Sequence, residues 1–361
     1  MRKGRAMTAR ELINKGAQEL AERGVADAET DSRLLFCHLA GVSRSRLFME
    51  YPRMMTDTEI AAYKALIRRR GTGEPLQYIV GETEFMGLLF RVDSRVLIPR
   101  PETELLVEKA LELLKGFSTK SEQGSPSASG EPAAAGEPVA ATRQNPLGSR
   151  QPVRILDCCC GSGAIGLSVA ALAEMPVHVI CTDISSDALD VARENARNLL
   201  GTGMSRTEGF VESDEPESDG SSGASRRRGW GDKNRGKVEF LWGSFLEPVA
   251  GKRFDMILCN PPYIQDGVIP GLQREVREHE PPLALAGGED GMDPYREMIP
   301  RLTEHLTDGG VAMFEIGHDQ GEAVANMFAE TGEFEPAQVM HDLAGRNRIV
   351  WARRRYPQSA E

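Results

Sequence analysis

Residues 153–166 read VRILDCCCGSGAIG, and they decide the fold. Val153, Ile155 and Leu156 give the opening a strand-forming character, which ends on Asp157 and three consecutive cysteines. Glycines then stand at 161, 163 and 166, where the helical run GAIGLSVAALAE begins. This G-x-G-x-x-G spacing suits a tight turn and a close approach of backbone to ligand, because the missing side chains leave room for both. Asp183 closes the next apolar run, VHVICTD, at the point where a carboxylate can take the two hydroxyls of a ribose. Up to here a nicotinamide dehydrogenase and an S-adenosylmethionine (SAM) enzyme fit equally, and a glycine turn that merely packs helix on sheet is the reading without a ligand.

Outward from this stretch, strands and helices alternate. SSDALDVARENARNLL reads as a helix, VEFLWG, FDMILCN, VAMFEIG and RIVWARR as strands. Short apolar strands between helices predict an α/β, doubly wound, mostly parallel sheet, with the ligand outside the carboxyl ends of its strands. Two stretches have linker composition. Residues 116–152 include SEQGSPSASGEPAAAGEPVAA, and residues 201–237 include ESDEPESD followed by Arg226, Arg227 and Arg228. Neither holds enough apolar surface to offset ordering entropy, so both read as disordered insertions. Each enters a strand at its amino end, which predicts that both lie on the face opposite the site.

Ahead of the first insertion, Ala9–Leu39 and Asp57–Arg70 show helical spacing, with Thr56 or Asp57 as a cap and Arg68, Arg69 and Arg70 in the last turn. From Gln77 to Ile98 the segments QYIVG, LLFRVD and VLI read as β-type, broken at Gly81 and Gly87, and predict a hairpin. Glu102–Leu114 returns to helix.

The 361 residues carry 43 Lys and Arg against 54 Asp and Glu, a formal charge of −11. Residues 1–90 hold 14 basic against 12 acidic side chains, so the excess acid lies in the rest of the chain. That balance argues against broad, salt-driven nucleic-acid binding, which needs a basic face. No apolar run is long enough to cross a bilayer. The first residues, MRKGRAMTARELINKGAQEL, lack the apolar core of a secretory signal, and Met7 is an alternative start. Six cysteines form neither a disulfide framework nor a paired zinc spacing, which places the protein in a reducing cytoplasm.

Asn260-Pro261-Pro262-Tyr263 follows FDMILC directly, at the carboxyl end of a strand beside the glycine loop. An amide or exocyclic amine is a poor nucleophile because its nitrogen lone pair is delocalised. A site that accepts hydrogen bonds from both its N–H groups, through the Asn260 side-chain oxygen and the Pro261 carbonyl, fixes that nitrogen in line with a sulfonium methyl. The prolines hold the carbonyl outward, and Tyr263 packs its ring on the planar group. A proline-stiffened loop without chemistry is the plainer alternative.

The chain resembles the bacterial peptide chain release factor N5-glutamine methyltransferases. The resemblance rests on GEPLQYIVGETEFMGLLFRV, VLIPRPETELLVE, DCCCGSGAIGLSVA, CTDIS, FDMILCNPPYI, EHEPPLALAGGEDGMDPYREMI and FEIGHDQG. NPPY is shared with adenine-N6 DNA methyltransferases, whereas IPRPETE and EPPLALAGGEDG look specific to the protein-glutamine group. The resemblance implies a seven-stranded, Rossmann-like SAM-dependent methyltransferase domain preceded by a small all-α domain and a β-hairpin connector. Residues 1–75 would be the helical substrate-binding domain, 76–98 the hairpin, and 99–361 the methyltransferase domain with its insertions. It implies SAM as cofactor, held by Cys159, Cys160, Gly161, Ser162 and Gly163, by Asp183 at the ribose and by Phe245 beside the adenine. Asn260 would touch cofactor and substrate, and Asn260, Pro261, Pro262 and Tyr263 would form the glutamine site, with Asn260, Pro261 and Tyr263 catalytic. Ile98–Glu104 would wall the pocket, the roles of Arg100 and Glu104 being open. Cys159 and Cys160 depart from the family, where Gly and a hydroxyl residue are commoner.

The implied reaction is methylation of the glutamine in the GGQ motif of class 1 release factors, by a monomer with no stable nucleic-acid or membrane binding. A ribosomal-protein glutamine or an adenine base is the alternative substrate, and a SAM-binding protein without catalysis the remaining reading. Among weaker signals, Cys158, Cys159, Cys160, Cys181 and Cys259 fall near the ends of neighbouring strands, yet their spacing matches no zinc template; they read as small buried residues, with no metal, and oxidation near the loop is a lesser hypothesis. Arg68–Arg70 and Arg226–Arg228 read as solvated rather than RNA-binding. Glu275, Glu278, His279 and Glu280 read as an exposed loop or helix bordering the substrate entrance, without metal.

Overall fold

The computed structural model describes residues 7–119, 152–201 and 237–357. Most of both insertions, with Arg226–Arg228, lies outside the described residues, as does the expectation about which face the insertions occupy. The chain forms two compact units, one of residues 1–100 with 262–294 and one of residues 101–261 with 295–361.

In the first unit, helices α1 (Ala9–Glu22), α2 (Ala28–Ala40) and α3 (Asp57–Gly71) pack on one another. Thr8 and Thr56 start α1 and α3 with reciprocal capping boxes to Glu11 and Glu59. Arg53, helped by the Thr56 cap, draws the Glu59 carboxyl down to about 2. Leu12, Leu20, Leu35, Phe36, Tyr63 and Ile67 fill the space between the helices. Buried Tyr63 donates to the Ser32 carbonyl at 3.0 Å, and the Ser32 hydroxyl donates to the Ile13 carbonyl at 2.6 Å, which ties all three helices at one point.

Several expectations are corrected in this unit. Arg70 is not solvated: it is 4% exposed, bonds Asp31 at 2.6 Å and the Glu74 carbonyl at 3.1 Å, and pairs with Glu275. Its helix end turns inward onto α2 instead of facing water. QYIVG is not a strand, since Leu76–Val80 is a short helix between Pro75 and Gly81, whose φ is 84°. Burying Ile79 in the helical core, with Leu76 and Val80 packed against it, outweighs the strand preference of Tyr, Ile and Val. The hairpin itself joins Glu82–Phe85 to Leu88–Arg91, with Phe85 opposite Leu88. Its turn residues Met86 and Gly87 have φ of 53° and 70°, the left-handed pair that a two-residue type I′ turn demands. VLI forms no strand, and the Tyr78 hydroxyl donates to the Val96 carbonyl at 2.6 Å.

The second unit opens with helix α4 (Glu104–Thr119), which runs past the expected insertion start at residue 116. Its sheet has strands β1 (Val153–Cys158), β2 (Val177–Asp183), β3 (Lys237–Trp242), β4 (Phe254–Cys259), β5 (Leu306–Glu315), β6 (Gln338–His341) and β7 (Asn347–Arg353). The order is β6-β7-β5-β4-β1-β2-β3, with β1 to β5 parallel and β6 and β7 antiparallel to their neighbours. Central strands such as β1 and β4 are buried on both faces, as a sheet covered by helices requires. Helices α5 (Ala164–Leu172), α6 (Ser186–Leu200) and α7 (Gly321–Glu330) belong to this unit. The register sets Cys158 opposite Thr182 and Cys259, so the carboxyl ends of β1, β2 and β4 finish level. Among the described residues no helix is long and apolar enough to cross a membrane.

Candidate active site

The turn from β1 to α5 is built on left-handed backbone. Cys159, Gly161 and Gly163 have φ of 59°, 54° and 77°. Glycine adopts this region freely, whereas a side chain there costs roughly 1–2 kcal/mol, which explains why Cys159 looks out of place in the sequence. The Asp183 carboxylate braces the turn, its Oδ2 accepting from Gly161 N–H at 2.8 Å and its Oδ1 from Ser185 N–H at 2.9 Å. Burial nevertheless pushes the Asp183 carboxyl above its ordinary range, against the pull of those N–H groups.

Two residues to which the sequence assigned no role, and Thr103 from the expected pocket wall, complete the site. Asp157 is fully buried, and its Oδ2 accepts from Gly166 N–H at 2.8 Å. Burial pushes its carboxyl up to about 8, so the group is a neutral acid at neutral pH. A Cβ on Gly166 would sit 2.8 Å from Asp157 Oδ2 and 2.9 Å from Cys181 Sγ, hence the third glycine. Buried Asn195 on α6 donates to the Ser162 carbonyl at 2.9 Å and fixes the crown of the turn. The third, Thr103, belongs to the Asn260 amide below. Burial and cross-chain contact, which spacing does not record, mark all three.

Phe245 follows β3 with φ 39°, a strained value for a bulky residue. Its carbonyl accepts from the Thr182 hydroxyl at 3.3 Å, and Gly243 N–H donates to the Asp183 carbonyl at 3.0 Å. Phe245 is thus held beside the strand end that carries Asp183.

Asn260 and Pro261 follow β4 directly. The Asn260 Nδ2 donates to Thr103 Oγ1 at 3.4 Å, and Thr103 is buried. With the amine turned to Thr103, the Asn260 oxygen is the atom left for a ligand. Pro262 and Tyr263 begin the 262–294 segment of the first unit. There Ile264 N–H donates to the Leu285 carbonyl at 3.0 Å and Gly287 N–H to the Ile264 carbonyl at 2.8 Å. A Cβ on Gly287 would lie 2.8 Å from the Pro262 oxygen and 2.8 Å from Tyr263 Cα, so only glycine fits behind this half of the tetrapeptide.

In the same unit Arg100 bonds Glu280 at 2.6 Å, which gives Arg100 a structural partner. Glu280 is 3% exposed, correcting the exposed reading of its segment. Burial raises its carboxyl although Arg100 opposes the shift. Arg274–His279 is a short helix in which Glu278 pairs with Arg274 and Arg277, and Glu275 pairs with Arg70.

The thiols gather. Sγ atoms of Cys158, Cys159 and Cys259 lie within 4.8 Å of one another, while the Cys160 and Cys181 thiols, both free, are within hydrogen-bonding reach of each other. Burial pushes the Cys259 thiol well up, and Cys158 is the member that the other two hydrogen-bond, which lowers it.

A family model described as PrmC N-terminal domain matches residues 11–81, and one described as Methyltransferase domain matches residues 150–217. The Release factor glutamine methyltransferase of Moorella thermoacetica is 34% identical over 97% of this chain and 99% of its own length. Its namesake in Geobacter sulfurreducens is 32% identical over 96% of each chain. A solved protein-(glutamine-N5) methyltransferase (release factor-specific) from Alicyclobacillus acidocaldarius is 22% identical, over 74% of this chain and 100% of that one, with a TM-score of 0.34. Near-complete coverage by relatives above 30% identity makes the chain a member of the release factor glutamine methyltransferase family.

Proposed function

We propose that this enzyme transfers the methyl group of SAM to the side-chain amide nitrogen of the glutamine in the GGQ motif of a class 1 release factor. The observation that carries the reading is Asn260. Its amine is engaged by Thr103, so its oxygen and the Pro261 carbonyl remain as paired acceptors for the two N–H groups of a primary amide. Bound SAM supplies an electrophilic methyl on a positively charged sulfur. The chain's own residues do the positioning: Asp183, braced by Gly161 and Ser185, takes the ribose hydroxyls, and Phe245 packs beside the adenine. Left-handed Gly161 and Gly163 let the Cys159–Gly163 backbone come close to the ligand. The amide nitrogen forms the new N–C bond as the S–C bond breaks, and its proton leaves during or after attack. Pro262 and Tyr263 complete the glutamine site, the tyrosine ring stacking on the amide plane. The fit is supported by an acceptor pair suited to a neutral amide.

Incubation with labelled SAM and, in parallel, purified release factor, ribosomal proteins and DNA tests the substrate. Label is expected on the release-factor glutamine, and label on DNA alone would overturn the proposal. Asn260→Ala is expected to cut kcat roughly 100-fold or more while SAM affinity changes far less, as removal of a group acting on the reacting atom should. Asp183→Ala should do the reverse, weakening SAM binding more than the chemical step. Normal turnover in Asn260→Ala would remove that residue from the mechanism.

A further inference from the structure

The thiols of Cys158, Cys159 and Cys259 play no part in the steps above, yet they converge. Cys158 and Cys259 end adjacent parallel strands and stand opposite one another in register. Cys159 reaches them from the left-handed turn at φ 59°, a backbone conformation that glycine would adopt without cost. Each thiol is within hydrogen-bonding reach of the other two, and all three sulfurs fall within 4.8 Å. Sulfurs about 2.3 Å from a shared ion stand about 3.8–4.0 Å apart, so small side-chain adjustments close the set.

We propose that Cys158, Cys159 and Cys259 form a three-sulfur site for a thiophilic d10 cation of the Zn2+ or Cd2+ class, and that its occupation hinders SAM binding. Burying several thiolates without a counter-ion is costly, and a bound cation removes that cost. Binding displaces thiol protons to solvent, and the resulting thiolates neutralise the ion. Cys158 and Cys259 are buried, whereas Cys159 is partly buried and is the member nearest to solvent. Three sulfurs leave a fourth coordination position for water, as in open zinc sites. The Asp183 carboxylate lies near enough to Cys159 to interact with it electrostatically, and its negative charge would favour a cation there. The ion would pin Cys159 of the glycine turn to Cys259, the neighbour of Asn260. The spacing of the cysteines hides this set because two ligands are adjacent and the third lies on a strand far along the chain. The metal site stands on geometry alone, while its effect on SAM rests on the proposed reading of the turn.

The test is titration of the reduced full-length protein with Cd2+, followed by thiolate-to-cadmium charge-transfer absorbance, with Zn2+ as competitor. One equivalent is expected for the wild type and for Cys37→Ala, whose cysteine lies in the helical core. Affinity should fall at least about tenfold in Cys159→Gly and in Cys259→Ala. Should Cys259→Ala fail to fold, Cys159→Gly still decides, since glycine suits that backbone. One equivalent of Cd2+ should weaken SAM binding to the wild type at least about tenfold, and leave it unchanged in Cys159→Gly. Cd2+ affinity undiminished in Cys159→Gly overturns the site, and SAM affinity indifferent to saturating Cd2+ overturns the inhibition. Metal-free wild type that binds no SAM would count against the reading of the turn, while the metal titration still decides the site.

Discussion

Asp157 shows how a single residue at this site is governed by burial rather than by sequence neighbours. It sits in the decisive stretch, but nothing in VRILDCCCGSGAIG distinguishes a surface acid from one that is fully buried and accepts only from Gly166 N–H and the Cys181 thiol. In the folded protein its carboxyl is held at about 8, against an ordinary value of 3.8. The folded state therefore keeps a proton that the unfolded chain has released between about pH 4 and about pH 8, so this residue's contribution to stability is lost as pH rises through that window and is constant above it. Asp157→Asn mimics the neutral acid and retains an oxygen for Gly166. Urea midpoints measured across the window should fall with pH more steeply in the wild type than in Asp157→Asn. Parallel profiles would show that Asp157 does not titrate there. Cys159 is the complementary case at this scale, because its oddity was visible in the sequence as a side chain where glycine is commoner, and the positive φ supplies the physical reason.

Among the elements, the sheet was largely legible because each central strand is a short apolar run ending in a chemically marked residue: Asp157 and Cys158 on β1, Asp183 on β2, Asn260 just past β4. β6 was not, since QVMH is short, partly polar and half-buried at the sheet edge. QYIVG failed for the opposite reason, its β-forming side chains being folded into a helical turn by Pro75, Gly81 and the core beneath. The 262–294 segment carries the most testable element-scale consequence. Gly287 backs onto the Pro262 oxygen and Tyr263 Cα, and both are backbone atoms that cannot swing aside. Gly287→Ala must displace the second half of the tetrapeptide, and through the chain its first half. Turnover is expected to fall roughly tenfold or more, since small misplacements of reacting groups are costly. SAM affinity should stay close to that of the wild type, because the atoms that a Gly287 Cβ would crowd belong to Pro262 and Tyr263. Equal losses in turnover and SAM affinity would contradict this division of labour.

For the whole molecule, the acidic balance of −11 and the near-neutral first 90 residues set apart a helical part without saying where it ends. The expected domain edge stood at residue 75, just before the segment misread as a strand. The packing argues for a later edge: the helical core runs from Met7 to Val80, with Ile79 buried in it and Leu76 and Val80 packed against it. A fragment of residues 1–81 keeps that core intact, together with the bonds of Arg70 to Asp31 and to the Glu74 carbonyl. It loses the Arg70 pair with Glu275, whose side chain is 39% exposed, so that loss should be within about 1 kcal/mol. Residues 1–81 are therefore expected to unfold cooperatively as an independent helical domain, near the lower size limit for a single core. Residues 1–75 lack Leu76, Ile79 and Val80, and burying Ile79 alone is worth about 1.5–3 kcal/mol, a large share of what so small a domain can muster. Thermal melts followed by circular dichroism should show a sharp transition for 1–81 and a lower or absent one for 1–75. Equal midpoints would mean that the short helix Leu76–Val80 adds nothing to the helical core and that its edge lies at residue 75 after all.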